Sequence, residues 1–284
     1  MGNGVGSLRV EPPAKPILRW AGSKRKLIGR LESYWDPSHH RRYIEPFAGS
    51  ACLFFTLCPA HAILGDSNRA LIDLYRAVRS SPKPLFDRLI RIDRNADTYY
   101  RWRAKDPTEG GAASRALRFL YLNRNCFNGI YRTNANGDFN VPFGGKNLGR
   151  LGALAREDFM RAAKLLQRAR FVAGDFSRTL ALAKRGDFVY LDPPFAVTSR
   201  RVFTQYGGKT FDGSDIERLA QELRRLDRLG ADFLVSYADC AEARQLAMEW
   251  NATKLFVRRN VAGFSGHRRM ASEWLISNIE SKTA

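Results

Sequence analysis

The sequence predicts a doubly wound, Rossmann-like α/β fold. Seven short apolar runs are typical of strands, and several are nearly continuous in Val, Ile, Leu and Phe, as strands covered on both faces require. Segments with helical periodicity separate these runs. Alternation of strand and helix along the chain is typical of doubly wound α/β folds.

The elements follow from these patterns in chain order. We predict strands at residues 43–48, 61–66, 170–175, 187–192, 232–237, 254–259 and 273–278. Helical periodicity predicts helices at residues 24–34, 69–78, 114–124, 215–228 and 241–250.

The alternation is interrupted between residues 80 and 167. This interval shows one helical stretch, followed by a segment rich in glycine and asparagine at residues 125–146. The pair Asn136-Gly137 between two polar-apolar runs predicts a β-hairpin there. We therefore predict a core domain from residues 1–79 and 168–284, with residues 80–167 inserted as a smaller helical and hairpin-bearing domain.

The chain carries a large positive charge. Lysine and arginine number 47 against 28 acidic residues among 284, which gives a formal net charge of +19. A folded chain with this charge is expected to bind a polyanion. An anionic membrane is the nearest rival partner, but no stretch approaches the ~20 uninterrupted apolar residues that a spanning helix needs. The sequence therefore favours nucleic acid over a membrane.

The N-terminus and the cysteines indicate a cytoplasmic protein. Residues 1–11 are glycine-rich and polar, without the apolar core of a signal peptide. The four cysteines are scattered without a C-x-x-C pair, so neither a zinc site nor a disulfide framework is predicted. No cluster of His, Asp and Glu has metal-ligand spacing, and we interpret His39-His40 as part of a solvated turn. We therefore expect no metal.

Polar residues follow three of the predicted strands, where ligands bind in open α/β sheets. Residues 45–50 (EPFAGS) end the first strand, and Gly49 would let a ligand approach the backbone. Asp66 ends the next strand, where a carboxylate can accept hydrogen bonds from both ribose hydroxyls of a nucleoside. Asp175 and Phe176 end the third and supply an acceptor and an aromatic plate for an adenine ring. A nucleoside-bearing ligand is therefore predicted at this edge.

A second group is the tetrapeptide at residues 192–195 (DPPF). Its two prolines have no N–H to donate, so the chain must leave the sheet there in a stiff, extended form. The carbonyls of this segment are then left to accept from another molecule. Asp192 with these carbonyls can hold an exocyclic amino group, and Phe195 can stack on a planar ring.

These motifs together resemble the Dam-type (alpha-group) DNA adenine methyltransferases that use S-adenosylmethionine. Residues 16–24 (PILRWAGSK) are similar to the family's N-terminal cofactor motif, residues 45–50 to its glycine loop and residues 192–195 to its catalytic tetrapeptide. Residues 127–132 (FNGIYR) and 139–144 (FNVPFG) are similar to its DNA-contacting hairpin. The resemblance implies methyl transfer from S-adenosylmethionine to adenine N6 in a short duplex DNA sequence, without a metal.

The resemblance also implies a role for each matching residue. Trp20 and Lys24 would border the methionine end of the cofactor, where the ammonium of Lys24 suits its carboxylate. Asp66 would bind the ribose, and Asp175 with Phe176 the adenine. The predicted cofactor site comprises Trp20, Lys24, Glu45, Phe47, Gly49, Asp66, Asp175, Phe176 and Asp192, and the predicted catalytic residues are Asp192, Pro193, Pro194 and Phe195.

The implied chemistry is direct methyl transfer to a weak nucleophile. The lone pair of adenine N6 is delocalised into the ring, and accepting its hydrogens with Asp192 and the Pro193 carbonyl would favour a more tetrahedral, reactive nitrogen. Positioning and electrostatics then carry the catalysis. The target base must first leave the duplex, because its amino group is otherwise engaged in pairing.

The predicted hairpin would recognise the DNA, since a two-stranded ribbon fits the major groove, where arginine reads guanine. We expect Arg132 to contact a base and Phe127 to fill the gap left by the extruded adenine. The family pattern adds Arg19 beside Trp20. The predicted DNA contacts are Arg19, Arg124, Phe127, Asn128, Arg132, Asn134, Pro142 and Lys146.

Two positions depart from the family pattern, and several alternatives stay open. Ala51 stands where a second glycine is frequent, and Phe195 stands where tyrosine is usual; its stacking face is intact, so we expect activity. The alternatives are cytosine-N4 methylation, a non-catalytic sequence-specific DNA-binding protein and, less favoured, an RNA substrate. We predict a recognition site that contains GA, with GATC as the first guess. We also expect the protein to be a monomer. Pairing with a restriction endonuclease, a solitary role and a phage origin all stay open.

Overall fold

The chain folds around a single seven-stranded sheet. The computed structural model describes residues 12–20, 22–134, 137–145, 154–194, 211–260 and 268–279. The strands are β1 (Arg42–Glu45), β2 (Ala62–Asp66), β3 (Ala169–Ala173), β4 (Asp187–Leu191), β5 (Asp232–Ala238), β6 (Asn251–Asn260) and β7 (Arg268–Ser277). All seven predicted strands are confirmed, with ends that shift by a few residues.

The sheet has the strand order β3-β2-β1-β4-β5-β7-β6. The first five of these strands run parallel, and β7 pairs antiparallel with both β5 and β6. The chain starts at β1 in the middle, moves out to β3 and then crosses to β4 on the other side. This reversal of direction beside β1 confirms the doubly wound α/β prediction, and it places a ligand crevice at the carboxyl ends of β1 and β4.

Ten α-helices are described in the ranges given above. They are α1 (Ile28–Leu31), α2 (Cys52–Leu57), α3 (Arg69–Ser80), α4 (Pro82–Ile90), α5 (Ala96–Ala104), α6 (Ala112–Asn125), α7 (Arg156–Leu166), α8 (Phe176–Leu180), α9 (Gly213–Leu229) and α10 (Ala241–Leu246). The predicted helix at 24–34 is one α-turn between two 3₁₀ turns, Arg25–Leu27 and Glu32–Tyr34. Side chains cap several helices, and α9 begins with a capping box between Asp212 and Asp215.

Alternate residues of each strand enter hydrophobic clusters on opposite faces of the sheet. Tyr43 and Phe188 lie in a cluster with α2, α3, α6 and α7, whereas Ile44 and Val189 lie in a cluster with α8, α9 and α10. Because neighbouring side chains of a strand point to opposite faces, burial of both sets produces the continuous apolar runs seen in the sequence.

The interval 80–167 contains helices α4, α5, α6 and α7, so the expectation of one helical stretch is wrong. Helix α4 begins on two prolines, Pro82 and Pro84, which are tolerated in a first helical turn but obscure its periodicity. Phe86, Leu117 and Phe159 of this interval pack in the same cluster as the sheet. The boundaries of a separate inserted domain stay a prediction.

Residues around the predicted hairpin form a small core of their own. Antiparallel bridges join Cys126 to Phe143 and Thr133 to Phe139, and Gly137 adopts a positive φ of 86° between them. Asn136 lies outside the described residues. The buried members of this core are Tyr99, Tyr121, Leu122, Cys126, Phe139 and Val141. The segment therefore folds back on itself against α5 and α6.

Candidate active site

Three acidic side chains meet at the carboxyl edge of the sheet. Glu45 and Asp66 end β1 and β2, and Asp192 directly follows β4. These three strands are neighbours in the parallel part of the sheet. The charges of Asp66 and Asp192 both raise the pKa of Glu45, which is buried. The sequence prediction that these residues share one edge is therefore matched by their positions.

Asp66 organises the loop after β1. Its carboxylate accepts hydrogen bonds from the backbone N–H groups of Gly49, at 2.9 Å, and Asn68, at 2.8 Å. Burial raises the pKa of Asp66 to about 6, although these two bonds oppose the shift. The loop and the end of β2 are thus joined through one carboxylate that ionises near neutral pH.

Gly49 lies in close contact with Trp20. Its φ is +47°, and a Cβ atom at this position would lie 2.8 Å from two atoms of the Trp20 indole. The Gly49 carbonyl accepts a hydrogen bond of 2.7 Å from the hydroxyl of buried Tyr75. A side chain at residue 49 would therefore push Trp20 out of its position and strain the backbone.

Glu45 is held inside the protein by Tyr43. The Tyr43 hydroxyl donates a 3.0 Å hydrogen bond to Glu45 Oε2. Burial raises the pKa of Glu45 well above its usual range, and this bond opposes the shift. Glu45 is therefore a hydrogen-bond acceptor beside the glycine loop, and its ionisation is disfavoured.

Asp192 is part of a charged cluster with Lys24 and Glu273. Lys24 Nζ lies 3.0 Å from Asp192 Oδ1 and 3.3 Å from Glu273 Oε2, and both Lys24 and Glu273 are buried. Burial raises the pKa of Asp192, Lys24 opposes this and Glu273 adds to it. The two carboxylates therefore share one ammonium. The predicted contact of Lys24 with a ligand carboxylate stays a prediction.

Strand β5 supports the tetrapeptide from the other side. Ser236 donates a 3.2 Å hydrogen bond to Asp192 Oδ1, and its hydroxyl also lies 2.9 Å from that of Tyr190. The Tyr237 hydroxyl donates to the Pro194 carbonyl at 3.3 Å. Asp192 to Pro194 are thus fixed by side chains of β4 and β5, whereas Phe195 lies outside the described residues.

An aromatic cluster lies beyond β1 and β3. Phe176 is buried, stacks on Phe47 at a centroid distance of 5.4 Å and has the Arg218 guanidinium 4.8 Å from its ring centre. Asp175 caps α8 through Ser177 and pairs with Arg218. Burial raises the pKa of Asp175, but the bonds from Ser177 and Arg218 outweigh it and hold the pKa below its usual range. Asp175, Phe176 and Phe47, all in the predicted cofactor site, thus lie together here, and their role in binding adenine stays a prediction.

The hairpin positions its polar side chains by bonds to its own residues. Arg132 Nε donates to Asn140 Oδ1 at 2.8 Å, and the Asn134 side chain accepts from the Asp138 N–H at 2.9 Å. The Phe127 N–H donates to the Pro142 carbonyl. Asn128 is exposed with a φ of +53°. Lys146 lies outside the described residues.

Arginines crowd where α6 meets the segment before α1. The side chain of Asn123 bonds both the N–H and the carbonyl of Arg19, at 2.9 and 2.7 Å. Burial, together with the charges of Arg19, Arg94 and Arg25, lowers the pKa of Arg124 to about 10. Four guanidinium groups thus repel one another here, which favours an anion between them.

Comparison with known proteins decides the family. The model of the D12 class N6 adenine-specific DNA methyltransferases matches residues 20–261, most of the chain. The chain belongs to this family. It is an adenine-specific DNA methyltransferase, and DNA is its substrate. The resemblance to Dam-type enzymes is thereby confirmed.

Curated relatives agree with this assignment. Type II methyltransferase M1.LlaDCHI of Lactococcus lactis is 30% identical, over 93% of this chain and 95% of the relative. The Retron Ec67 DNA adenine methylase of Escherichia coli is 30% identical, over 90% and 89%. The DNA adenine methylase of Vibrio cholerae is 30% identical, over 88% and 92%. This methyltransferase therefore resembles such enzymes along nearly their whole length.

Four site residues were missed in the sequence. Ser236 and Tyr237 of β5 contact the tetrapeptide, and Glu273 of β7 contacts Lys24. Tyr131 stacks on Trp20 with centroids 6.0 Å apart. Glu273 carries the one usable signal, since it is an acidic residue at the start of an apolar run. Tyr131 connects the hairpin to the loop that carries Trp20.

A group of two histidines and Asp232 lies at the opposite edge of the sheet. The Asp36 N–H donates to His40 Nδ1 at 2.9 Å, so Nε2 carries the ring proton and donates to Asp232 Oδ2 at 3.0 Å. A metal on Nε2 would displace that proton. We interpret this pair as a hydrogen bond that ties the turn before β1 to β5. His39 is exposed as predicted, but His40 is buried, so the solvated-turn interpretation is wrong for it.

No helix among the described residues is long and apolar enough to cross a membrane. The four cysteines are free thiols.

Proposed function

We propose that this methyltransferase uses S-adenosylmethionine to methylate adenine N6 within a short GA-containing duplex site, with GATC as the first candidate. The observation that carries this proposal is the position of Asp192, which is held at the end of β4 between Lys24 and Ser236. The acceptor Asp66 and the loop at Gly49 lie at the ends of neighbouring strands. A methyl donor and a flipped base can thus meet at one edge of the sheet.

The residues that follow β1, β2 and β3 fit the cofactor. Gly49 lets the loop pack closely against Trp20, and Asp66, which accepts from the Gly49 N–H, offers a carboxylate for the ribose hydroxyls. Phe47, Phe176 and Asp175 form an aromatic and acceptor surface for the adenine ring. When bound, S-adenosylmethionine supplies the electrophilic methyl group on its sulfonium sulfur.

Asp192 prepares the adenine nitrogen for attack. In this proposal the amino hydrogens of N6 are donated to the Asp192 carboxylate and the Pro193 carbonyl, which draws the lone pair out of conjugation with the ring. S-adenosylmethionine held beside Asp66 and Gly49 would supply the methyl group to this lone pair, and its sulfur would leave with the bonding electrons. Burial raises the pKa of Asp192 and Lys24 opposes this rise, which favours a carboxylate that can accept one N6 proton as positive charge develops on the nitrogen.

Recognition of the duplex falls to the hairpin and the arginine group. Arg132 is oriented by Asn140, and Phe127 lies partly exposed beside it. Arg19 and Arg124 lie near the same segment. We propose that Arg132 reads a guanine, that Phe127 fills the gap left by the flipped adenine and that the enzyme acts as a monomer.

A cytoplasmic location accords with free thiols.

Arg132→Ala is expected to reduce site choice. A bidentate contact to guanine contributes about 1–3 kcal/mol of discrimination, so the variant should lose about 5- to 150-fold in preference for the cognate site over a site with one base changed. Initial rates of methylation on the two duplexes measure the ratio. The matched control is Arg228→Ala, an exposed arginine at the end of α9. An unchanged ratio in Arg132→Ala would show that the hairpin reads the site through other residues.

Cofactor affinity should fall as the pH decreases through about 6. The pKa of Asp66 is about 6 in the folded protein, above its ordinary value. Protonated Asp66 therefore stabilises the folded state, and this stabilisation is lost as the pH rises through 6. Accepting hydrogen bonds from the ribose hydroxyls of the cofactor requires the ionised form of Asp66 instead. Calorimetry should show affinity for S-adenosylmethionine falling about tenfold between pH 7 and pH 5.

The control for this pH dependence is Asp66→Asn, which keeps the shape of the side chain and cannot titrate. The variant should bind the cofactor more weakly at pH 7 and show a flatter pH profile. An equally steep profile in the variant would assign the titration to another group of the site.

A further inference from the structure

A basic cavity lies at the edge of the sheet opposite the active site. Its volume is about 490 Å³, and it opens where β1, β2 and β3 begin, beside the last turns of α3. We call it the arginine pocket, and its charged or titratable lining residues are Arg42, His61, Arg76, Arg79, Arg168 and Arg170. No acidic residue is among its described lining residues.

Backbone carbonyls fix the direction of three of these guanidinium groups. Arg79 donates to the carbonyl of Ala169 at 3.0 Å, and its guanidinium carbon lies 4.9 Å from the centre of the Phe171 ring. Arg168 donates to the carbonyl of Cys58 at 3.2 Å. Arg76 donates to the carbonyl of Phe171, also at 3.2 Å. Each guanidinium has five N–H donors, so one such bond orients the group without exhausting it.

The charge of the pocket is only partly compensated. Arg42 pairs with Asp187, and Arg76 pairs with Asp73. Within the described part of the chain, no carboxylate lies within 4.0 Å of the guanidinium nitrogens of Arg79 or Arg170. Both arginines are lining residues of the pocket, and a bound anion would offset the positive charge that they contribute.

The pocket is separate from the catalytic edge. Ala62 and Ala169 start β2 and β3, whereas the predicted cofactor residues lie at the far ends of these strands. A strand rises about 3.3 Å per residue, so the four steps from Ala62 to Asp66 separate the two edges by roughly 13 Å.

We propose that the arginine pocket is a second anion site that binds phosphate groups. Planar guanidinium groups match phosphate oxygens in paired hydrogen bonds, and fixed guanidinium groups lose little entropy on binding. The cavity is large enough for a phosphorylated ligand. The phosphate groups bound in this pocket would belong either to the backbone of a second DNA segment or to a free phosphorylated compound.

Calorimetry with inorganic pyrophosphate tests the chemistry of the site. The pocket variant is Arg79→Ser with Arg170→Ser, and the matched control is Arg185→Ser with Arg228→Ser, which removes the same charge from two exposed arginines outside the pocket. Loss of charge-assisted bonds should weaken pyrophosphate binding about tenfold or more in the pocket variant and leave the control near wild type.

Two results would overturn the proposal. One is the absence of pyrophosphate binding by the wild-type enzyme, and the other is an equal loss in the pocket and control variants, which would reflect net charge alone. Because Arg79 also packs on Phe171, the single variant Arg170→Glu, at an exposed position, repeats the test without disturbing the core. It should lose pyrophosphate binding as well.

A second arm of the experiment distinguishes the two sources of phosphate. The enzyme is loaded with one equivalent of an unlabelled duplex of about 20 base pairs, and binding of a second, labelled duplex is followed by fluorescence anisotropy at several salt concentrations. Weaker binding and a salt slope reduced by about 1–2 in the pocket variant alone assign the site to DNA backbone. Unchanged DNA binding with lost pyrophosphate binding assigns it to a free phosphorylated compound.

Discussion

Asp192→Ala is expected to reduce methyl transfer by about 10²–10³-fold or more, because it removes a fixed acceptor from the place where charge develops on N6. The side chain lies between Lys24 and Ser236 at the end of β4, and neither of these partners belongs to the hairpin. Affinity for DNA should therefore stay within a few-fold of wild type. Single-turnover transfer of labelled methyl groups measures the first quantity and anisotropy the second.

The control for this variant is Asp227→Ala, which removes an exposed carboxylate at the end of α9 that contacts Asn278. It should leave the transfer rate unchanged. Retained turnover in Asp192→Ala would contradict the role given to the tetrapeptide and would leave Asp192 as a structural partner of Lys24.

Lys24→Met should lower the free energy of unfolding by about 3–5 kcal/mol, the range measured when one partner of a buried ion pair is removed. Lys24 is 6% exposed, and it is the shared cation of Asp192 and Glu273. Without it, two carboxylates face each other in a site of low polarity, and the pKa of Asp192 rises further. Chemical denaturation at pH 7 measures the loss.

A double variant separates the ion cluster from simple packing. Adding Glu273→Gln to Lys24→Met removes the second carboxylate, so the double variant should recover part of the lost stability. Lys83→Met, an exposed lysine on α4, serves as the control and should change stability little. Equal losses in the single and double variants would show that Glu273 and Lys24 are not coupled.

The strands and the catalytic motifs could be predicted from the sequence for a physical reason. Strands covered on both faces consist of consecutive apolar residues, as at Phe188 to Leu191, and the two prolines that follow can only end such a strand. Gly49 is readable as well, since a glycine directly after a strand is typical of a turn with the positive φ that the structure shows. These features are local in sequence, and local features are what a single sequence displays.

Features that depend on tertiary contacts were not predicted. Glu273 lies 249 positions after Lys24 and meets it only because β7 pairs antiparallel with β5. The sequence predicts a solvated His40, but this residue is buried against Asp232, which begins β5 almost 200 positions later in the chain. The short helix α5 has mixed faces because it packs in part against the hairpin core, so its periodicity is weak.

Transfer of labelled methyl groups from S-adenosylmethionine to unmethylated duplex DNA, followed by nucleoside analysis and mapping of the modified positions, tests the central claim most directly. We expect N6-methyladenine confined to one short motif that contains GA. Methylation of cytosine at N4, or tight binding of DNA and cofactor without any transfer, would contradict the account.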